Sequence, residues 1–136
     1  MRVWHIQRDG YDRLRPLSYL GVRAFVICFT IDWPYTLRDV SEVWVPELTR
    51  YQPGVPYVLV ATKSDLRAEP RRESEKPLVT PAEAIQLGKQ IGAYQVLECS
   101  ARDFESVQRV FAAAIRAAES PPPPSPPGAE RKCIIS

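Results

Sequence analysis

The sequence predicts an α/β protein, a mostly parallel sheet with flanking helices, on three observations. Ala24 to Ile31 and Pro56 to Ala61 are unbroken apolar runs, the pattern of strands covered on both faces. Between and after them, apolar residues recur at intervals of three and four, as one face of a helix does. The two periods alternate along the chain, which is the order that strand–helix–strand units produce.

Bulk properties fit one domain. The chain has 136 residues, 45% hydrophobic and 25% charged, enough for a real core and ordinary for a globular protein. A net charge of +2 argues neither for nor against a nucleic-acid partner, but no basic patch is interleaved with aromatics as single-strand binders require, and no such partner is expected. Cys28, Cys99 and Cys133 are an odd, widely spaced set, which points to a reducing compartment without a disulfide framework. No stretch reaches the length of apolar residues that spans a bilayer, and the first residues lack the apolar run of a signal peptide.

In chain order, Arg2 to Ile6 alternates loosely and reads as a possible short strand, followed by a turn at Gln7 to Gly10. Tyr11 to Tyr19 is charged and aromatic, and Pro16 argues against one long helix there. After the Ala24 strand, Leu37, Val40, Trp44, Leu48 and Tyr51 form a helical face, with Pro46 inside it predicting a kink or early break. Gln52-Pro53-Gly54 ends that segment, and Pro56 to Ala61 is the second strand. Ala68 to Pro77 is a polar, exposed loop with room for one helical turn. Thr80-Pro81-Ala82-Glu83 is a helix start, with Thr at the cap, Pro at the first helical position and Glu three residues on; Gly92 stops that helix. Tyr94 to Leu97 reads as a third strand and Glu98 to Ala101 as the loop after it. A last helix begins near Asp103, with Phe104, Val107, Val110, Phe111, Ala114, Ile115 and Ala118 as its apolar stripe.

The chemistry centres on Thr62-Lys63-Ser64-Asp65, directly after the second strand. Asp65 is able to accept two hydrogen bonds, from guanine N1–H and the 2-amino group. Adenine lacks that donor pair, and a polar mismatch of this kind discriminates by roughly 10⁴–10⁵. The stem of Lys63 is long enough to lie across the purine face, with its ammonium near the loop carbonyls. A Lys-x-Asp after a strand is also what a plain polar turn looks like, so these four residues alone do not decide.

The order of motifs decides more. Tyr11-Asp12-Arg13-Leu14-Arg15-Pro16-Leu17-Ser18-Tyr19 resembles the second switch of Rho-family small GTPases. Trp44-Val45-Pro46-Glu47 is similar to that family's W-x-P-E, and Thr62-Lys63-Ser64-Asp65-Leu66-Arg67 to its T-K-x-D-L-R. Ile91-Gly92-Ala93 with Leu97-Glu98-Cys99-Ser100-Ala101 resembles I-G-A…L-E-C-S-A, and Cys133-Ile134-Ile135-Ser136 the prenylated C-a-a-X ending. The Rac-like branch fits best. The resemblance implies a partial Ras-like three-layer P-loop-NTPase fold, missing the first strands. It divides the chain into an atypical segment 1–10, a partial GTPase domain 11–119 and a Pro-rich tail 120–136.

The resemblance also implies roles. Asp65 specifies guanine, Lys63 packs on the base, Thr62 opens the loop, the Ala101 N–H meets guanine O6, and Ser100 braces the Asp65 loop. Arg102 stands where the wider superfamily often has Lys, a change of little consequence if the backbone does the reading. Tyr11, Asp12, Arg13, Leu14, Arg15 and Pro16 form a switch-like face for effectors, exchange factors and dissociation inhibitors. The implied cofactors are GTP or GDP with Mg²⁺.

Against this, G-x-x-x-x-G-K-[ST], which cradles phosphates and magnesium, does not occur, nor does a first switch. The expectation is an N-terminally truncated form. Where the family's D-T-A-G-Q belongs, the chain has Trp4 to Gly10, and neither Gln7 nor Arg8 qualifies as catalytic. His5 has no triad or metal partner and reads as a surface or core residue. Most affinity for a nucleotide comes from its phosphates, so a base pocket alone binds weakly. The Ala24 strand would be an open apolar edge, prone to association.

Six prolines between Pro121 and Pro127 make a polyproline II spacer that also carries P-x-x-P, the spacing proline-reading domains bind. Cys133 is the lipidation residue of the C-a-a-X resemblance. A single lipid anchors only marginally, which implies a cytoplasmic protein in exchange with the cytoplasmic face of membranes.

Overall fold

The computed structural model describes residues 2–6, 13–71 and 75–120. Three strands, β1 (Phe25–Thr30), β2 (Tyr57–Thr62) and β3 (Gln95–Cys99), form one parallel sheet in the order β1-β2-β3. Phe25 pairs with Tyr57 and Thr30 with Thr62; Val58 pairs with Gln95 and Thr62 with Cys99. All three strands therefore end together, and the loops after β2 and β3 lie side by side. With helices on both faces, this is the α/β architecture expected, consistent with a partial Ras-like fold.

Two cores flank the sheet. On one face, Phe25, Ile27, Phe29, Leu59 and Ala61 pack with Tyr19 from the segment before β1 and with Val40, Leu48, Ala84 and Leu87 from the helices between the strands. On the other, Val58 and Val60 pack with Val110, Ala113 and Ala117 of the last helix, α4 (Phe104–Glu119). Leu59, Val58 and Val60 in the central strand are essentially solvent-free, and each such side chain contributes about 1.5–3 kcal/mol of burial.

Several expectations need correction. β1 is covered on one face only. Phe25, Ile27 and Phe29 point inward, while Val26 and Cys28 are exposed. The register puts Val26 beside Val58 and Cys28 beside Val60, on the side where α4 packs. But α4 seats itself over β2 and β3, so its cover does not extend to β1.

The α4 stripe is likewise displaced. Ser106, Val110, Ala113 and Ala117 are buried, whereas Phe104, Phe111 and Ile115 are exposed. Small residues let the helix approach the sheet closely, and the apolar stripe is wider than the surface it meets. Residues 2–6 are not a strand, though Ile6 packs partly against the first core. β3 runs on through Glu98 and Cys99, which the sequence placed in a loop. Tyr51, expected on the buried helical face, is exposed.

The interruption expected at Pro46 falls just ahead of it, as a break in the regular α-helix. α1 (Pro34–Asp39) passes into a π-helical segment, Val40–Trp44, and then α2 (Val45–Tyr51). The Val45 N–H bonds back to the Val40 carbonyl, five residues earlier. One wide turn before Pro46 relieves the clash its ring makes in a regular helix, where it also lacks the N–H. α3 (Pro81–Ile91) starts as expected. The Glu83 N–H donates to Thr80 Oγ1 at 3.2 Å and the Thr80 N–H to Glu83 Oε2 at 2.7 Å, and Gly92 closes the helix at φ 69°.

Candidate functional site

The carboxyl ends of β2 and β3 deliver the two loops singled out by sequence. Thr62 ends β2, and its Oγ1 donates to the Phe29 carbonyl of β1 at 2.9 Å, tying the loop base across the sheet. Lys63 follows in the left-handed region, φ 62°, ψ 35°. It is the one non-glycine residue with positive φ among those described, a conformation that costs roughly 1–2 kcal/mol. The left-handed turn sends the chain sharply into a 3₁₀ helix, Ser64–Arg67, which carries Asp65. Arg67 clamps this helix to β3, its Nε donating to both oxygens of Glu98 at 2.9 and 3.0 Å.

The two loops meet at Asp65 and Ser100. The Ser100 Oγ donates to Asp65 Oδ1 at 2.7 Å. Ser100 is buried, and its own N–H donates to the buried Ser106 Oγ at 3.1 Å, anchoring the loop to the first turn of α4. Asp103 caps that helix, accepting from the Glu105 N–H at 3.1 Å. Ala101 is exposed, and its N–H takes no partner among the described residues. An open donor and a carboxylate with lone pairs to spare thus stand on adjoining loops, as reading a base edge requires.

Two residues do more than their sequence positions suggested. Asp32, two residues past β1, receives the Lys63 ammonium at 2.8 Å. The Lys63 bond first, and then the Thr30 hydroxyl, hold the Asp32 carboxyl below the usual carboxylate range. Lys63 is thus fixed by a carboxylate on a third loop rather than by loop carbonyls. Nothing in the order of motifs singled out Asp32, because the loop after β1 carries none of the quoted signatures. Arg102 places a guanidinium 3.6 Å from Asp65 Oδ2 and 3.7 Å from Glu69. Its side chain is 79% exposed. Arg102 thus stands beside Asp65 Oδ2, a contact that a backbone-only reading leaves out.

The switch-like segment divides. Arg13 and Leu14 are exposed, and Pro16 is half-buried in the 3₁₀ helix Arg15–Tyr19. Arg15 is not on a partner face: it is 7% exposed, donates to Glu47 through Nε at 2.8 Å and Nη2 at 2.6 Å, and lies 5.2 Å from the Trp44 ring centre. The buried Tyr19 hydroxyl also donates to Glu47. Arg15 holds the Glu47 carboxyl low against a smaller opposing effect of burial, and burial, followed by the Glu47 contact, pushes the Tyr19 phenol up. The W-x-P-E run is the clamp that seats this segment. Tyr11, Asp12, Gln7, Arg8 and Cys133 lie outside the described residues.

A cavity of about 290 Å³, lined by Asp32, Leu66, Glu69, Pro70, Arg71 and Glu75, borders the Lys63–Asp32 pair. A larger one of about 450 Å³ lies at the other end of the strands. No described helix is long and apolar enough to cross a membrane.

Comparison with known families agrees with the fold. The family model described as the Ras family matches residues 7–120. That match covers well over half of the sequence, and the chain belongs to the Ras family of small GTPases.

Proposed function

We propose that this chain is a Rho-type signalling member of the family that takes GTP or GDP through its base-reading loops. The observation that carries the reading is the 2.7 Å bond from Ser100 to Asp65, which joins the two loops into one site. Members of the family bind guanine nucleotide and Mg²⁺ in general, and they act through effectors, exchange factors and other regulators.

The base half of such a ligand fits the residues present. Asp65 keeps acceptor positions beyond the one Ser100 uses, for guanine N1–H and the 2-amino group. The Ala101 N–H is open for O6, and the Lys63 ammonium is held by Asp32, leaving its stem to lie along the base. The phosphate half does not fit. No G-x-x-x-x-G-K-[ST] occurs in the 136 residues. Among the described residues, no three His, Cys, Asp or Glu side chains cluster to hold a metal ion. No phosphoryl-transfer step follows from these residues. Binding of labelled GTP and GDP by the purified chain, with and without Mg²⁺, tests the reading. The expected result is weak binding indifferent to Mg²⁺. No binding of either nucleotide contradicts the reading and favours an interaction module, whereas Mg²⁺-dependent turnover of GTP contradicts the lack of a phosphate half.

A second reading, a non-catalytic interaction module competing for Rho-type partners, is favoured by one observation. Leu14, Leu17 and Leu20 are 56%, 64% and 73% exposed at three-residue spacing, on a segment pinned from beneath by Arg15 and Tyr19. Rigid exposed apolar residues of that kind mark a docking face. Prenylation at Cys133 places either form in the cytoplasm, with reversible residence at membranes. A Cys133→Ser variant that remains on membranes refutes the anchor.

A further inference from the structure

The 450 Å³ cavity at the amino-terminal end of the strands is not used by the nucleotide loops. Its walls include Gln52, Val55, Pro56, Tyr57, Tyr94 and Ser120, and its exposed lining is mostly apolar. Its size falls in the range of about 300–1,000 Å³ typical of ligand pockets. The Tyr57 ring is fixed at both ends: its hydroxyl donates to the Ile91 carbonyl, and its own carbonyl accepts from the Tyr94 N–H at 2.9 Å. Tyr94 is 43% exposed. The Gln52 amide and the Tyr94 hydroxyl take no partner among the described residues. The groove thus offers two aromatic rings and unpaired donors, and no charged side chain lines it.

That chemistry suits a proline-rich strand. Polyproline II exposes carbonyls with few N–H groups to match them, and it presents flat pyrrolidine faces that stack on aromatic rings. The chain supplies such a strand at the groove itself. Ser120, part of the wall, is followed at once by Pro121-Pro122-Pro123-Pro124-Ser125-Pro126-Pro127. Ser120 also leaves α4 with φ −66° and ψ 141°, already in the polyproline II region.

We propose that this groove is the seat of the chain's own Pro121–Pro127 segment, which docks there and withholds its P-x-x-P spacing from proline-reading domains. Tethering at Ser120 supplies an effective concentration in the millimolar range, so a weak contact suffices. A partner domain then competes with the groove, and the tail is released only where that domain is abundant or binds tightly. The proposal does not depend on nucleotide binding.

A nitroxide on the tail tests it. Ser125→Cys in the full chain, with Cys28→Ser and Cys133→Ser, leaves Cys99, which is buried, as the other thiol. The paramagnetic resonance spectrum is expected to show a slow component that becomes several-fold faster on Tyr94→Ser, with Gln52→Ala as a second variant should the first fail to fold. A fast label in the unaltered groove, or slow motion that both substitutions leave unchanged, overturns the proposal. So does slow motion that disappears on dilution, which would mean that the groove holds the tail of a second copy.

Discussion

At the scale of single residues, the site turns on which groups compete for Asp65. Ser100 takes one oxygen from a buried position, and Arg102 faces the other from an exposed one. An exposed pair of this kind contributes little to stability, about 0–1 kcal/mol. Arg102→Ala is therefore expected to leave the unfolding free energy within about 0.5 kcal/mol of the parent while strengthening guanosine binding several-fold. Calorimetry on the two proteins checks both. The Glu47 cluster behaves in the opposite way. Arg15 is buried against Glu47, so Glu47→Gln strands a guanidinium and costs about 3 kcal/mol in denaturant unfolding. The folded-state pKa of Glu47 lies below its unfolded value. Its contribution is thus fully present above about pH 4.3 and is lost as pH falls through the lower folded value. The variant should show a flatter loss of stability on acidification. Asp65, Ser100 and Glu47 were legible in the sequence because motif spacing marks them. Asp32 and the inward turn of Arg15 were not, since each depends on a contact about thirty residues away in sequence.

At the scale of elements, the start of α3 was readable to the residue, because a capping box is a local pattern with local hydrogen bonds. The faces of β1 and α4 were not. An apolar run announces burial but not by what, and how far α4's cover reaches is a property of packing. The turn before Pro46 shows the same limit. Sequence locates the proline, whereas the remedy, one π-helical turn, lies in the preceding backbone. Close packing also explains Gly88. A Cβ there would stand 2.2 Å from Val96 Cγ2, and a β-branched side chain in β3 has little room to rotate away. Gly88→Ala gains helix propensity of about 1 kcal/mol but overpacks by about 1–3 kcal/mol. The net expectation is destabilisation, read as a lower urea midpoint; an unchanged or raised midpoint contradicts the contact.

At the scale of the whole molecule, three parallel strands bring the loops that carry Asp65 and Ser100 together while leaving β1 paired on one side only among the described residues. Its exposed Val26 and Cys28 sit beside that open edge. An apolar edge invites association, and a lysine on it discourages association. Val26→Lys is expected to raise the monomer fraction in sedimentation; a parent chain that is already a soluble monomer with a sharp cooperative melt refutes the expectation. The parallel sheet and the order of loops were legible because strand and helix periods alternate cleanly. The lack of G-x-x-x-x-G-K-[ST] was legible too, but the contacts of Lys63 with Asp32 and of Arg102 with Asp65 were not, because each joins loops about thirty or more residues apart. The central claim is that Asp65, braced by Ser100, reads guanine. Its most direct test is competition of guanosine against adenosine for the purified chain, repeated on Asp65→Ala. Preference for guanosine by at least about 100-fold, well inside what such polar mismatches achieve, and its loss in the variant, is the predicted result. Equal binding of the two nucleosides, or a preference that survives Asp65→Ala, would contradict it.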